Sequence, residues 1–231
     1  MATRTELDRE LDQLRDMLFR MESLVSEALQ RGMDSLRRRD AALAEDVIRS
    51  DDVINALRYD VEQSCVDMIA TQQPVARDLR TIMSMMHSAV EMERMGDHAA
   101  GVAKITLAVY EEPLLKPLID LPRMATISIE MLHLSLQALI NNDAEVAQAI
   151  IDRDDEVDSL HDQIFRELIT YMLEDTSTIR RATNLTWASH AVERFADRAT
   201  NIAERALFIT SGQLEDLTSE AAELNTPPAG R

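Results

Sequence analysis

Glu93-Arg94-Met95-Gly96-Asp97-His98 returns one hundred positions later as Glu193-Arg194-Phe195-Ala196-Asp197-Arg198, so both strings keep a Glu-Arg-x-x-Asp core. Carboxylates at i and i+4 face one way on a helix. Two such pairs at corresponding positions describe a duplicated helical module built around two acidic sites. The duplication extends outward: Asp40-Ala41-Ala42-Leu43-Ala44 matches Asp143-Ala144-Glu145-Val146-Ala147, and Asp51-Asp52 matches Asp154-Asp155. These segments align at an offset of 103, against 100 for the acidic strings, which puts a three-residue deletion at the turn between the second and third helices of the second copy. A turn is where a deletion is tolerated most easily.

The apolar residues around these strings keep helical time. Leu7, Leu11, Leu14, Leu18, Met21, Val25, Leu29 and Leu36 recur largely at spacings of three and four, and Val47, Ile54, Leu57, Val61, Cys65 and Met68 form a second stripe. With aromatics at 3%, five glycines and six prolines, the chain has little turn chemistry, which points to long helices. Pro74 interrupts one long pattern, Pro113, Pro117 and Pro122 mark a linker, and Pro227-Pro228 lies in a tail. Helix three is predicted from about Val75 to Tyr110 and helix four from about Met124 to Asn141. Asp143 is placed to cap helix five, and the Asp175-Thr176-Ser177 cluster to start helix six. The predicted fold is all-α: two tandem three-helix bundles, six long helices in all, related by the internal repeat. The expected boundaries are 1–112 for the first repeat, 113–122 for the linker, 123–211 for the second repeat and 212–231 for a flexible tail without a periodic stripe. Helices of this length extend on the order of 45 Å, so an elongated molecule is expected.

The formal net charge of −18 argues against nucleic acid, whose affinity comes from Lys and Arg on phosphates, and against adsorption to anionic lipid. Cations and basic protein surfaces are the partners it suits. The lone Cys65 lies in an apolar stripe, which excludes a disulfide framework and a thiolate metal site and predicts a buried, inert thiol. No run nears 18 consecutive apolar residues and MATRTELDRELDQL lacks an apolar h-region, so no direct membrane insertion and a cytoplasmic location are expected.

At about 100° per residue, Leu79, Met83, Met86 and Val90 form one row of helix three, and the next positions in that row are Glu93 and Asp97. Met92, Met95, Ala99, Val102 and Val109 form another row, so this helix is expected to pack on two sides. In the second copy the acids belong to a polar row, Thr183, Thr186, His190, Glu193, Asp197, Thr200 and Glu204, which reads as exposed. Asp51 and Asp154 occupy the same shoulder of helices two and five, where acids from neighbouring helices meet if helices two and three are adjacent. Three or more oxygen ligands suit Mg²⁺, Mn²⁺ or iron, and the weaker candidates His98 and His190 would shift the preference towards iron or zinc. Against this stands the plain alternative of solvated i, i+3 ion pairs, Arg94 with Asp97 and Arg194 with Asp197, worth a few tenths of a kcal/mol.

Other motifs carry less. Glu130-x-x-His133 matches one element of a di-iron bundle that needs two. His133 and His161 read as packing or surface residues, and Trp187 as core. Gly96 and Gly101 lack the Lys and Ser or Thr of a phosphate loop and read as sites of close helix contact. The cluster of Met83, Met85, Met86, Met92 and Met95 reads as adaptable packing. No nucleophile and base fall into a catalytic arrangement, and no catalytic residue is assigned.

Gln73-Pro74-Val75-Ala76-Arg77-Asp78-Leu79-Arg80, then Met92-Glu93-Arg94-Met95-Gly96-Asp97-His98, and later Val192-Glu193-Arg194-Phe195-Ala196-Asp197-Arg198-Ala199-Thr200-Asn201-Ile202-Ala203-Glu204 resemble the PhoU family of phosphate-specific transport accessory proteins. The resemblance spans about residues 5 to 210. It implies two three-helix bundles and metal ions (iron, zinc, manganese or magnesium) on surface acidic motifs, with ligands at Glu93, Asp97, Glu193 and Asp197. It implies a non-enzymatic cytoplasmic regulator that restrains phosphate uptake, with the Pst transporter's ATPase subunit and a phosphate-responsive sensor histidine kinase as partners. A homodimer is also expected. Lys104 and Arg198 stand beside the two motifs and oppose a cation, so unequal occupancy is expected. A carboxylate-bridged di-iron or manganese oxidase and a purely structural helical scaffold are the alternatives.

Overall fold

The computed structural model describes residues 2–213, with side chains described from Glu6 onward. Six long helices follow in order: α1 Ala2–Arg38, α2 Ala41–Gln72, α3 Arg77–Val109, α4 Asp120–Asn141, α5 Ala144–Glu174 and α6 Ile179–Ser211, with a single 3₁₀ turn at Thr176–Thr178 before α6. The all-α prediction holds. α2 and α5 begin at duplicated caps, where the Asp40 carboxylate accepts from Leu43 N–H and the Asp143 carboxylate accepts from Glu145 and Val146 N–H. The Asp175 carboxylate caps the 3₁₀ turn by accepting from the Ser177 N–H at 2.9 Å and the Ser177 hydroxyl at 2.8 Å. Residues 73–76 around Pro74 are thus replaced in the second copy by a short capped turn.

Helix four starts at Asp120 rather than the predicted Met124. Pro122 falls in its first turn, where a missing N–H forfeits no intrahelical bond, so a residue read as a linker mark lies inside the helix. Of the predicted tail, only Gly212 and Gln213 belong to the described residues.

Within each repeat the third helix packs on the other two, α3 on α1 and α2, α6 on α4 and α5. The repeats lie side by side, joined mainly through α3 and α6 and secondarily through α1 and α4. One apolar core runs through both, from Leu14, Leu18 and Met21 through Met92, Met95 and Val102 to Met131, Phe195 and Ile202. Cys65 is fully buried, and burial pushes its thiol up to about 12. Helices α2 and α5 are left on opposite outer edges, each beside the acidic stretch of its repeat's third helix.

Glycine serves close approach at two positions. A Cβ at Gly32 would stand 3.1 Å from the Ala99 carbonyl, and one at Gly96 would stand 2.9 Å from Asp51 Oδ1 and 3.1 Å from Ile54 Cδ1. Gly101 does not serve it: its nearest neighbour, Ala191 Cβ, would be at an ordinary 4.0 Å.

The row Leu79, Met83, Met86 and Val90 is only partly packed, with Met86 against the core and Val90 half-buried. Leu79 is 37% and Met83 42% exposed, and the buried side carries Ile82, Met85, Ala89, Met92 and Met95. Trp187, read as core, is 59% exposed on α6, its ring centroid 6.1 Å from that of His190.

Candidate metal centres on the third helix of each repeat

In the first repeat, α2 brings Asp51 to α3, where its Oδ1 lies over the bare backbone of Gly96. Asp51 Oδ2 accepts from Asn55 Nδ2 at 3.1 Å, while the buried Oδ1 has no hydrogen-bond partner. Burial, then the charge of Asp97, raises the Asp51 carboxyl above the ordinary carboxylate range. Glu93 is raised in the same way, by burial first and Asp97 second, with Arg58 opposing. Asp51, Glu93 and Asp97 therefore form one electrostatic cluster, as the angular argument anticipated. The solvated-pair alternative fails here, because Arg94 turns to Glu91 at 3.6 Å. The charge of Lys104 partly offsets the rise at Asp51.

In the second repeat, α5 supplies Asp154 and Asp158 and α6 supplies Glu193 and Asp197. Burial pushes Asp154 up to about 7, assisted by the charges of Asp158, Asp197 and Glu193. Asp197 rises to about 6 through burial and then Glu193, and Asp158 is raised by burial and then Asp197. Asp154 Oδ1 and Glu193 Oε2 are buried without a hydrogen-bond partner. His190 Nδ1 stands 3.0 Å from that Glu193 oxygen without hydrogen-bond alignment, and burial raises Glu193 while His190 opposes. Behind them, His161 Nδ1 and Ser189 Oγ are 2.8 Å apart. Here the plain ion pair does form, Arg194 to Asp197 at 3.5 Å.

The row expected to be exposed is a half-buried seam: Thr200 is 1% exposed, and Glu193, Asp197 and His190 are partly covered by α5. The polar pattern misled because α5 presents its own acids to the seam. Asp158 was missed. Its signal was Asp154-x-x-x-Asp158, an i, i+4 acid pair on the neighbouring helix, masked by Asp155, Glu156 and Asp162 around it.

Between the clusters, at the α3–α6 contact, Glu91 is only 2% exposed. It accepts from Arg198 Nη1 at 3.3 Å and from Asn201 Nδ2 at 3.1 Å. Arg198 is thus drawn towards the first repeat. By the repeat, Asn201 and Glu91 correspond to Gly101 and Ala191, which face each other on the mirrored side of the contact. One side of the junction is a charged clamp and the other a small apolar contact. His98 faces the clamp, and burial followed by Arg198 and Arg194 pulls it down to about 4.

The donors fit a hard cation. Buried carboxylate oxygens without hydrogen-bond donors, set among neighbouring carboxylates, are stabilised by added positive charge. Yet among the described residues no three carboxylate, imidazole or thiolate groups are already arranged to hold a metal ion. Coordination of a cation at either cluster would need side chains to rotate inward.

A tandem all-α fold, with an acidic cluster under the third helix of each repeat, is the class of protein defined here. The PhoU domain model matches residues 18–106 and again 121–206, and the chain belongs to the PhoU family. It is 39% identical to the phosphate-specific transport system accessory protein PhoU homolog of Aquifex aeolicus, over 90% of this chain and 95% of that protein. A homolog of the same description from Clostridium acetobutylicum is 32% identical over 93% of this chain and 99% of its own length. Crystal structures of PhoU from Pseudomonas aeruginosa and of the phosphate transport system regulatory protein PhoU from Streptococcus pneumoniae each superpose with a TM-score of 0.84 at 32% identity. They cover 89% and 91% of this chain, and 99% and 100% of their own.

Proposed function

We propose that this chain is a non-catalytic accessory protein of phosphate transport, which restrains uptake by a Pst-type transporter and phosphate-starvation signalling. Its carrying observation is the twofold PhoU match together with relatives, named as transport accessory proteins, that align along nearly their whole length. The contacts proposed are with the transporter's ATPase subunit and a phosphate-responsive sensor histidine kinase, made in the cytoplasm by a homodimer. Among the described residues no helix is long and apolar enough to cross a membrane, so contact with a transporter would be made through its peripheral parts.

Cations are proposed at Asp51, Glu93 and Asp97 and at Asp154, Asp158, Glu193 and Asp197, with His190 as a nitrogen donor at the second. Iron, zinc, manganese and magnesium are the candidates. A bound ion would supply charge neutralisation and cross-link α2 to α3 or α5 to α6. The oxidase alternative lacks support, since Glu130 is paired with Arg153, and His133 lies between Glu22 at 3.6 Å and Gln137 at 2.9 Å.

Deleting the gene is expected to raise phosphate uptake and derepress phosphate-starvation genes, with reversal on complementation. Unchanged uptake and gene expression in the deletion strain would overturn the proposal.

A further inference from the structure

Helices α2 and α5 keep the same register, and the residues they set beside the two acidic clusters differ. Buried Ile54, Leu57, Val61 and Cys65 of α2 correspond, at the offset of 103, to buried Val157, Leu160, Ile164 and Leu168 of α5. In that register Asn55 stands where Asp158 stands, and Arg58 where His161 stands. The second exchange is the informative one. A guanidinium is a permanent cation with no lone pair to give, whereas a neutral imidazole is a common metal ligand.

Arg58 serves the first cluster as a counter-ion of its own. Its side chain is 22% exposed, its Nη1 donates to Glu62 Oε2 at 3.0 Å, and its charge opposes the rise at Glu93. With Lys104 opposing at Asp51, the first cluster is partly neutralised from within. It offers a cation the oxygens of Asp51, Glu93 and Asp97.

Imidazoles take that place in the second cluster. The ring centres of His161 and His190 are 6.1 Å apart, and two imidazoles on one tetrahedral ion stand about 5 Å apart, so a small approach brings both within reach of one ion. His190 Nδ1 lies 3.0 Å from Glu193 Oε2, a buried oxygen without a hydrogen-bond partner. Asp158 precedes His161 by three residues, on the same side of α5.

His161 is also anchored, and the anchor suits one tautomer. Ser189 is 1% exposed, with its Oγ 2.8 Å from His161 Nδ1 and 3.8 Å from Met124 Sδ. The thioether accepts the hydroxyl proton, which leaves Oγ as the acceptor for Nδ1–H. A neutral imidazole with its proton on Nδ1 presents an unprotonated Nε2, the form that binds a metal ion. The first repeat has Ala89 at the position of Ser189 and lacks the hydroxyl.

We infer, given a cation at the second cluster as proposed above, that His161 joins His190 there as a second nitrogen ligand, with Ser189 as its positioning residue, and that the pair selects zinc over magnesium. Magnesium demands oxygen and keeps its waters, so imidazoles add nothing for it, whereas zinc takes them readily. Arg58, in the matching place, denies the first cluster that preference.

The test uses the full chain carrying Glu93→Ala/Asp97→Ala, so that only the second cluster is read, with zinc or magnesium added after chelator treatment. Five histidines in the chain keep the imidazole nitrogen NMR spectrum simple to assign. On zinc addition the His161 Nε2 resonance should move to the metal-bound position while Nδ1 keeps its proton. His161→Ala should weaken zinc binding at least tenfold in isothermal titration and magnesium binding less than twofold. Ser189→Ala should weaken zinc by a smaller factor and mix the His161 tautomers in the metal-free chain; an unmixed tautomer would overturn its role. Zinc bound with the His161 Nε2 resonance unmoved would overturn the inference and leave the cation proposal standing. Equal losses of zinc and magnesium in His161→Ala would do the same, making the residue structural. Binding of neither ion would overturn both.

Discussion

The two acidic clusters descend from one motif and are no longer the same site. In the first, Gly96 lets Asp51 lie directly on α3, and three carboxylates share the space with Lys104 and Arg58 at its edge. In the second, Ala196 occupies the glycine position, and four carboxylates gather with His190 and, behind it, His161. Burial, assisted by the charges of its acidic neighbours, brings Asp154 to about 7 there, against a raised but lesser shift for Asp51. Duplication copied the helix positions, and divergence at the neighbouring positions gave the second cluster more charge, more burial and nitrogen donors. A softer ion such as zinc or iron is therefore expected to favour the second cluster, and a purely oxygen-seeking ion to discriminate less.

The largest break in the symmetry is the Glu91 clamp. Glu91→Ala removes the partner of the covered Arg198 and should cost about 3 kcal/mol, since breaking a buried pair leaves an uncompensated charge. Differential scanning calorimetry should show a fall of about 9 °C for a chain of this size. A melting temperature within a degree of wild type would show that the apolar contact of Gly101 and Ala191 suffices to hold the repeats together.

Gly96→Leu should come next. The added side chain must displace Asp51 and Ile54, and overpacking of this kind costs about 2 kcal/mol. Metal titration of this variant should show the first cluster weakened and the second untouched. Loss at both would mean that the clusters are not separate sites.

The pH dependence is smaller and belongs mainly to the second cluster. Raised carboxylates are protonated more readily in the folded chain, so their contribution to stability is present at low pH and lost as pH rises through the folded values, about 6 for Asp197 and about 7 for Asp154. Cation-free protein should therefore melt higher at pH 5 than at pH 8. Asp154→Asn, which keeps the shape without the charge, should raise the melting point at pH 8 by about 4 °C, on the basis of roughly 1–2 kcal/mol after discounting for solvent screening. Asp51→Asn should do the same to a lesser degree. A larger gain for Asp51→Asn would reverse the ranking of the clusters.

The smallest effect separates the arginines. Arg194→Ala releases Asp197 and should tighten cation binding at the second cluster about threefold, whereas Arg94→Ala, whose guanidinium is turned to Glu91, should change the first by less than twofold. Equal effects in isothermal titration would show that Arg94 also screens its own motif.

Much of this was legible before the structure. The heptad-like stripes, the duplicated caps Asp40 and Asp143, and the offset between the copies dictate six helices in two repeats, because each signal is local to a helix or its end. The meeting of Asp51 with the motif acids followed from the angular positions once α2 and α3 were taken as neighbours. What escaped depends on which neighbour covers a given face. Asp158, itself exposed, was hidden among Asp155, Glu156 and Asp162, and only its place on the side of α5 next to Asp197 sets it apart. Trp187 read as core because an aromatic beside Ala188 on an amphipathic helix falls near the stripe, yet neither α4 nor α5 covers it. Glu91 shares a buried face with Ser84, Ser88 and Met95, and only the partner across the repeat junction explains an acid there. Pro122 marked a linker by composition, although the first turn of a helix accepts proline without loss.

Both acidic clusters are proposed to hold cations, the second more tightly than the first. Isothermal titration of chelator-treated protein with zinc, on the wild-type chain and on the double variants Glu93→Ala/Asp97→Ala and Glu193→Ala/Asp197→Ala, tests it directly, with bound metal confirmed by elemental analysis. The prediction is two classes of site in the wild type, loss of the weaker class in the first double variant and of the tighter class in the second. Unchanged zinc content in both folded variants would contradict it.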